Sequence, residues 1–134
     1  MNADLDLAKQ WVQKARNDLL HADNNLVAAQ VPADTVCFHC QQAAEKLLKG
    51  FLVGKSIPPP RTHDLIDLYS RILTQSPDIK ELREALLILQ PYAVDVRYPD
   101  ADWMPTVEEA IDARKAAGSI LTWFERALPE AVEG

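Results

Sequence analysis

Residues 36–55 read V-C-F-H-C-Q-Q-A-A-E-K-L-L-K-G-F-L-V-G-K, and residues 56–65 continue as S-I-P-P-P-R-T-H-D-L. The first part has the period of a helix. Cys37, Cys40, Ala44, Leu47 and Phe51 alternate spacings of three and four and fall on one stripe. Phe38, Glu45, Leu48 and Leu52 form a second stripe beside it. A helix with two such flanks sits between neighbours rather than on the outside of a bundle. Its remaining face carries His39, Gln42, Lys46 and Lys49. Gly54 is expected to end the helix in a left-handed conformation. Pro58, Pro59 and Pro60 keep the linker extended, and Thr62 is placed to cap the next helix.

Helical seams extend to both sides of this stretch. Leu5, Ala8, Val12, Ala15, Leu19, Ala22, Leu26 and Ala29 continue the same alternation and predict helix one over about Asp4 to Gln30. Pro32 breaks it, and Asp34 or Thr35 is expected to cap helix two. Leu65, Leu68, Tyr69 and Ile72 give a short helix three over about His63 to Leu73. Helix four starts near Asp78 on Ile79, Leu82, Leu86, Leu89, Ala93 and Val96. Pro91 should kink it, and Arg97-Tyr98-Pro99-Asp100 should end it. Thr106 and Glu109 make a capping box for the last helix, Val107 to about Leu128. Ala110, Ala117, Leu121, Phe124 and Leu128 supply its seam, Pro129 stops it, and the acidic tail after it should fray. The expected architecture is an all-α, up-and-down four-helix bundle with an additional short helix. Residues 1–134 are expected to form a single domain, with the core over about 4–128 and a tail at 129–134.

With 134 residues, 48% hydrophobic and 25% charged, the composition fits a globular chain with one core. Four glycines and few β-branched runs favour helix throughout. No apolar run approaches the ~20 residues that span a membrane, and the acidic start M-N-A-D-L-D lacks a signal-peptide core. The expectation is a cytoplasmic protein with no membrane contact. A net charge of −6 excludes a general polyanion binder. Lys46, Lys49, Lys55 and Arg61 nevertheless follow one another without an acidic residue between Lys46 and His63. That run is either a solvated face or a local attractor for one phosphate group.

Cys37-Phe38-His39-Cys40 resembles a redox or metal pair only in spacing. No strand precedes it for a thioredoxin-type site, and no second pair completes a zinc set. Both sulfurs fall on the apolar stripe, so they read as structural thiols, and no cofactor or metal is expected.

F-H-C-Q-Q-A-A-E-K-L-L-K-G-F-L followed by P-R-T-H-D-L resembles the HEPN domain, the higher eukaryote and prokaryote nucleotide-binding domain. W-V-Q-K-A-R-N-D-L-L-H-A at residues 11–22 and Y-A-V-D-V-R-Y-P-D at 92–100 are similar to its stand-alone prokaryotic members. The likeness runs from about Leu7 to Leu128. It implies a helical bundle, a homodimer, and a minimal nucleotidyltransferase as candidate partner in a toxin–antitoxin-like pair. Ribonuclease members carry an Arg and a His four to six residues apart, leading into the last long helix. Arg97 stands there, but Asp102, Trp103 and Met104 occupy the histidine's positions, so no catalytic residue is expected. Arg16 to His21 has the right spacing inside helix one, yet five residues along a helix turn about 140 degrees, so the two should diverge.

Two uses remain for the polar residues. In one, Arg97, Lys46, Lys49, Gln42, His39 and Tyr98 hold a nucleotide or RNA phosphate, with a guanidinium fork, ammonium groups, an amide and a stacking ring. In the other, Arg97 pairs with Asp95 or Asp100, and the helix-two residues are a polar or dimer-facing stripe. The competing functions are a phosphate-binding or partner module, a degenerate metal-independent ribonuclease, and a structural dimer without ligand. Apolar residues beyond the seams, Trp11 and Trp123 among them, add to the case for a homodimer.

Overall fold

The computed structural model describes residues 2–93, 99 and 104–132. Its helices are α1 (Ala3–Leu26), α2 (Ala33–Gly54), α3 (Leu65–Leu73), α4 (Arg83–Leu89) and α5 (Val107–Ala127). Short 3-10 segments cover Pro77–Leu82, Gln90–Tyr92 and Pro129–Ala131. The architecture is an all-α bundle, and among the described residues there is no strand. No described helix is long and apolar enough to cross a membrane.

Side-chain pairings fix the helix directions. Ala8 and Trp11 meet Gly50, whereas Asp18 meets Lys46 and His39, so α1 and α2 run antiparallel. Asp23 binds Arg114 and Arg16 binds Glu125, so α1 and α5 are antiparallel as well. α2 lies between them as the seam patterns foretold: Cys37, Cys40, Ala44, Leu47, Leu48 and Leu52 are all fully buried. At Gly50 an added Cβ would stand 2.9 Å from Trp11 Cβ, so the absence of a side chain lets α1 approach.

Several local expectations need correction. α1 stops at Leu26 rather than Gln30, because the amide of Asn25 donates to the His21 carbonyl and Val27 is 85% exposed, with nothing to pack on. Its start is capped by Asn2, whose Oδ1 accepts from the amides of Asp4 and Leu5. Neither Asp34 nor Thr35 caps α2. Pro32 occupies the cap position, and the Thr35 hydroxyl donates back to its carbonyl. Gly54 is not left-handed; that conformation belongs to Ser56, with φ 62°. Gly54 is small for a packing reason, since a Cβ there would run into Leu128 and press on Ala8. Helix three is capped by Asp64, not Thr62. Asp64 accepts from the amides of Ile66 and Asp67, and Thr62 in turn accepts from the Asp64 amide. The expected fourth helix is broken into a 3-10 segment, α4 and a second 3-10 turn that carries Pro91. The continuation to Val96 and Arg97 lies outside the described residues. The capping box of α5 is present in full, with Thr106 and Glu109 each accepting from the other's amide.

Trp123 is fully buried and tilted 4.9 Å from the Phe51 ring, so it serves this chain's own core. The apolar flanks of α2 are likewise covered from within the chain, except at Phe38, which is half-buried. Trp123 therefore no longer adds to the case for self-association.

Candidate functional site

The most reactive groups that sequence alone would nominate are the two thiols, Cys37 and Cys40, and both are fully buried. Burial pushes the Cys37 thiol from 9.0 up to about 11, opposed by a hydrogen bond with Tyr92. Burial also pushes Cys40 up to about 12, with the neighbouring Cys37 second. Among the described residues no group of His, Cys, Asp and Glu is arranged to hold a metal. Both thiols act as small apolar side chains. Folding thus favours their protonated form, and the sign follows directly. Stability is full below about pH 9, where unfolded thiols are protonated too, and is lost as pH climbs towards 11 and 12. Thermal melts from pH 7 to 11 should show this decline, and it should flatten in a Cys37→Ala, Cys40→Ala variant. Complete labelling of the native protein by a thiol reagent within minutes at pH 8 would contradict it.

The polar face of α2 is more informative. Asp18 projects from α1 and is 7% exposed. Its Oδ1 lies 2.9 Å from His39 Nδ1, and its Oδ2 accepts from Lys46 Nζ at 2.6 Å. His21, one turn beyond Asp18, stacks on His39 with ring centroids 4.9 Å apart. One carboxylate therefore fixes an imidazole and an ammonium, and a second imidazole covers the first. Because Nδ1 of His39 is engaged by Asp18, Nε2 is the nitrogen left for other partners.

A second unit has the same composition. Glu45, 5% exposed, lies 3.0 Å from His63 Nδ1 through Oε1 and accepts from Lys49 Nζ at 3.0 Å through Oε2. Gln41 donates to Glu45 and to the His63 carbonyl, and Gln42 donates to Gln41. The His63–Glu45 contact joins separate elements, since His63 precedes α3 and Glu45 lies on α2. It ties the proline-rich connection to α2.

Of the residues proposed from sequence, His39 and Lys46 are brought together on Asp18, with Gln42 between their helical positions. Lys49 is drawn into the Glu45 unit and is only 9% exposed. Arg97 and Tyr98 lie outside the described residues, as do Asp95, Asp100, Asp102 and Trp103. Arg16 and His21 do diverge: Arg16 reaches Glu125 on α5 at 3.3 Å, and His21 faces α2. Sequence reasoning missed Asp18 and Glu45 as organisers. The signal was available, since each is a carboxylate standing next to seam residues, where an unpaired charge would be costly.

The HEPN domain family model matches residues 8–127. Among solved structures, the chain is similar to one described as the crystal structure of TT1696 from Thermus thermophilus. The TM-score is 0.79 at 31% identity, over 92% of this chain and 99% of that one. No curated protein matches.

Proposed function

This chain belongs to the HEPN domain family, and on that premise we propose that it is a binding module for a phosphate-bearing ligand, a nucleotide or RNA phosphate, held on the α1–α2 face. The observation that carries this is the pairing of His39 Nδ1 and Lys46 Nζ on the single buried carboxylate of Asp18. The two side chains keep 27% and 26% of their surface open. Donors already ordered on a carboxylate need not be ordered again when a ligand arrives. Arg97 and Tyr98 remain proposed contributors from the sequence, through a guanidinium fork and a stacking ring. Lys49 and Gln42 support the face from behind through the Glu45 network.

Under this reading the molecule works in the cytoplasm as one domain. The homodimer and the nucleotidyltransferase partner of a toxin–antitoxin-like pair rest on family resemblance. Degenerate ribonuclease activity and a ligand-free dimer are the readings it competes with.

Titration with ribose 5-phosphate and with a short oligoribonucleotide tests the proposal. Binding should weaken about tenfold or more in His39→Ala and in Lys46→Ala, because hydrogen bonds to charged groups are worth about that much. It should also weaken as salt rises. RNA should remain intact, since general acid–base help worth roughly a hundred- to ten-thousand-fold is lacking at the Arg97 position. Binding that is absent, or indifferent to both substitutions, would sink the proposal, and cleavage lost in Arg97→Ala would support the ribonuclease instead.

A further inference from the structure

Asp4, Leu7, Trp11 and Lys14 recur along α1 at spacings of three, four and three. This is the spacing of a heptad seam, by which one helix packs along another. It is distinct from the row of Ala8, Val12 and Ala15, which is buried in the chain's own core. Two clefts open along the seam and meet at Leu7. One, of about 350 Å³, lies over Leu7, Trp11 and Lys14. The other, of about 420 Å³, runs over Leu7 and Asp4 and is walled by Ile57 and Pro58. Leu7 is 44% exposed, so the middle of this seam faces solvent.

The order of the four residues decides what fits. Acid, apolar, apolar, base is complementary to itself when reversed. Laid antiparallel on a second copy, about a twofold axis midway between Leu7 and Trp11, Asp4 falls opposite the partner's Lys14 and Leu7 opposite the partner's Trp11. The twofold axis makes each contact occur twice. Both charges are free for this. Asp4 accepts the Ser56 hydroxyl through Oδ2 at 2.7 Å, which leaves Oδ1 for another donor. Neither Asp4 nor Lys14 forms an ion pair among the described residues. A parallel pairing would set Asp4 on Asp4 and Lys14 on Lys14, where like charges repel. Gln10, which flanks the seam near the axis, is uncharged and meets its own copy without repulsion. A small apolar ligand could fill either cleft, but it would leave the mirrored charges without a role.

We propose that this seam is an interface between two copies of the chain, paired antiparallel along residues 4–14 of α1. Leu7 packs on the partner's Trp11 at the centre, and an Asp4–Lys14 ion pair closes each rim. The partner's Lys14 lays its methylene stem over Ile57 and Pro58 while its ammonium reaches Asp4. Family resemblance implies a homodimer without saying where it forms. The seam gives that dimer a surface, a direction and a register, and it uses no part of the phosphate reading.

Light scattering on the full chain, without ligand and at tens of micromolar, should give twice the 15.0 kDa of one chain. Asp4→Lys and Lys14→Asp each set like charges together at both rims. Either should raise the dissociation constant about tenfold or more. Mixed in equal amounts, the two variants should dimerise again, because one chain then carries both carboxylates and the other both ammonium groups. Local damage by either substitution could not be cured by mixing. Should a reversal fail to fold, a thiol placed by Gln10→Cys gives a second readout, since the native thiols are buried. A short bismaleimide should link two Gln10→Cys chains and should not link Lys9→Cys chains, whose thiol points away from the seam. A monomeric parent would overturn this interface and the homodimer together. A dimer indifferent to both reversals, or no linking at position 10, would overturn this interface and leave the homodimer to another face. Weakening that mixing does not restore would overturn the antiparallel register.

Discussion

Glu45→Ala should lower the unfolding free energy by about 3 kcal/mol, and the melting temperature by roughly 10 °C. The carboxylate is 5% exposed and serves three neighbours: Lys49, His63 and Gln41. Taking it away leaves the Lys49 ammonium, 9% exposed, with its charge uncompensated in a poorly hydrated place. It also frees His63, and with it the connection that leads into α3. The double variant Glu45→Leu, Lys49→Met separates these effects. Replacing both charges by apolar groups of similar size is often close to neutral for a buried pair. The double variant should therefore regain most of what the single one loses, keeping only the smaller cost of the loosened His63. Denaturant unfolding measures all three proteins. A single variant within ~1 kcal/mol of the parent would show that water reaches Lys49 and that the pair contributes little.

Trp123→Ala should cost about 4 kcal/mol. Trp123 is fully buried on α5, its ring lies 4.9 Å from that of Phe51 on α2, and its indole N–H donates to Asp78 at 3.4 Å. Truncation removes an aromatic contact between the two helices and leaves a cavity that fully buried neighbours cannot readily fill. Trp123→Phe keeps the ring contact and loses only a long hydrogen bond and part of the volume, so it should cost about 1–2 kcal/mol. Asp78 provides a control. Its carboxyl is held below the usual range by Ser76 first and by Trp123 only third, after the opposing effect of burial. Asp78→Ala should thus be milder than Trp123→Ala. Equal losses from Trp123→Ala and Trp123→Phe would show that the hydrogen bond, not the packing, is what matters there.

The helical seams were legible in the sequence because burial along a regular helix has a period. Ala8, Val12, Ala15, Leu19 and Ala22 read as a row and are buried as a row. The ends were not legible, since ends are settled by competition among nearby polar groups. Asp64 prevails over Thr62 at the cap of α3 by accepting from two amides, and no pattern in the six residues around them ranks the two. Gly54 illustrates a different limit. Its sequence position suggested a backbone role, whereas its role is to leave room for Leu128, a residue far along the chain. The cations of the candidate site were legible as a face on α2. Their carboxylate was not, because Asp18 and Lys46 stand on different helices, 28 residues apart, and meet only once α1 and α2 cross. His21 was set aside as half of a ribonuclease spacing. It returns as the ring stacked on His39, a relation visible only in three dimensions.

From Ala43 to Val53, Lys46 is the single residue of α2 that is not buried. A segment so surrounded has almost no vocabulary for addressing the outside world. Its letters specify how helices fit, and a change in nearly any of them is felt in the fold. The outer faces of α1 and α5 are in the opposite position, as exposed substitutions there shift stability by only about half a kcal/mol. The string that announces this molecule's kinship is thus the one least able to say what the molecule meets. Whatever distinguishes it from its kin is written in residues such as Leu7, Lys14 and His21, where the wording can change while the grammar of the bundle stays intact.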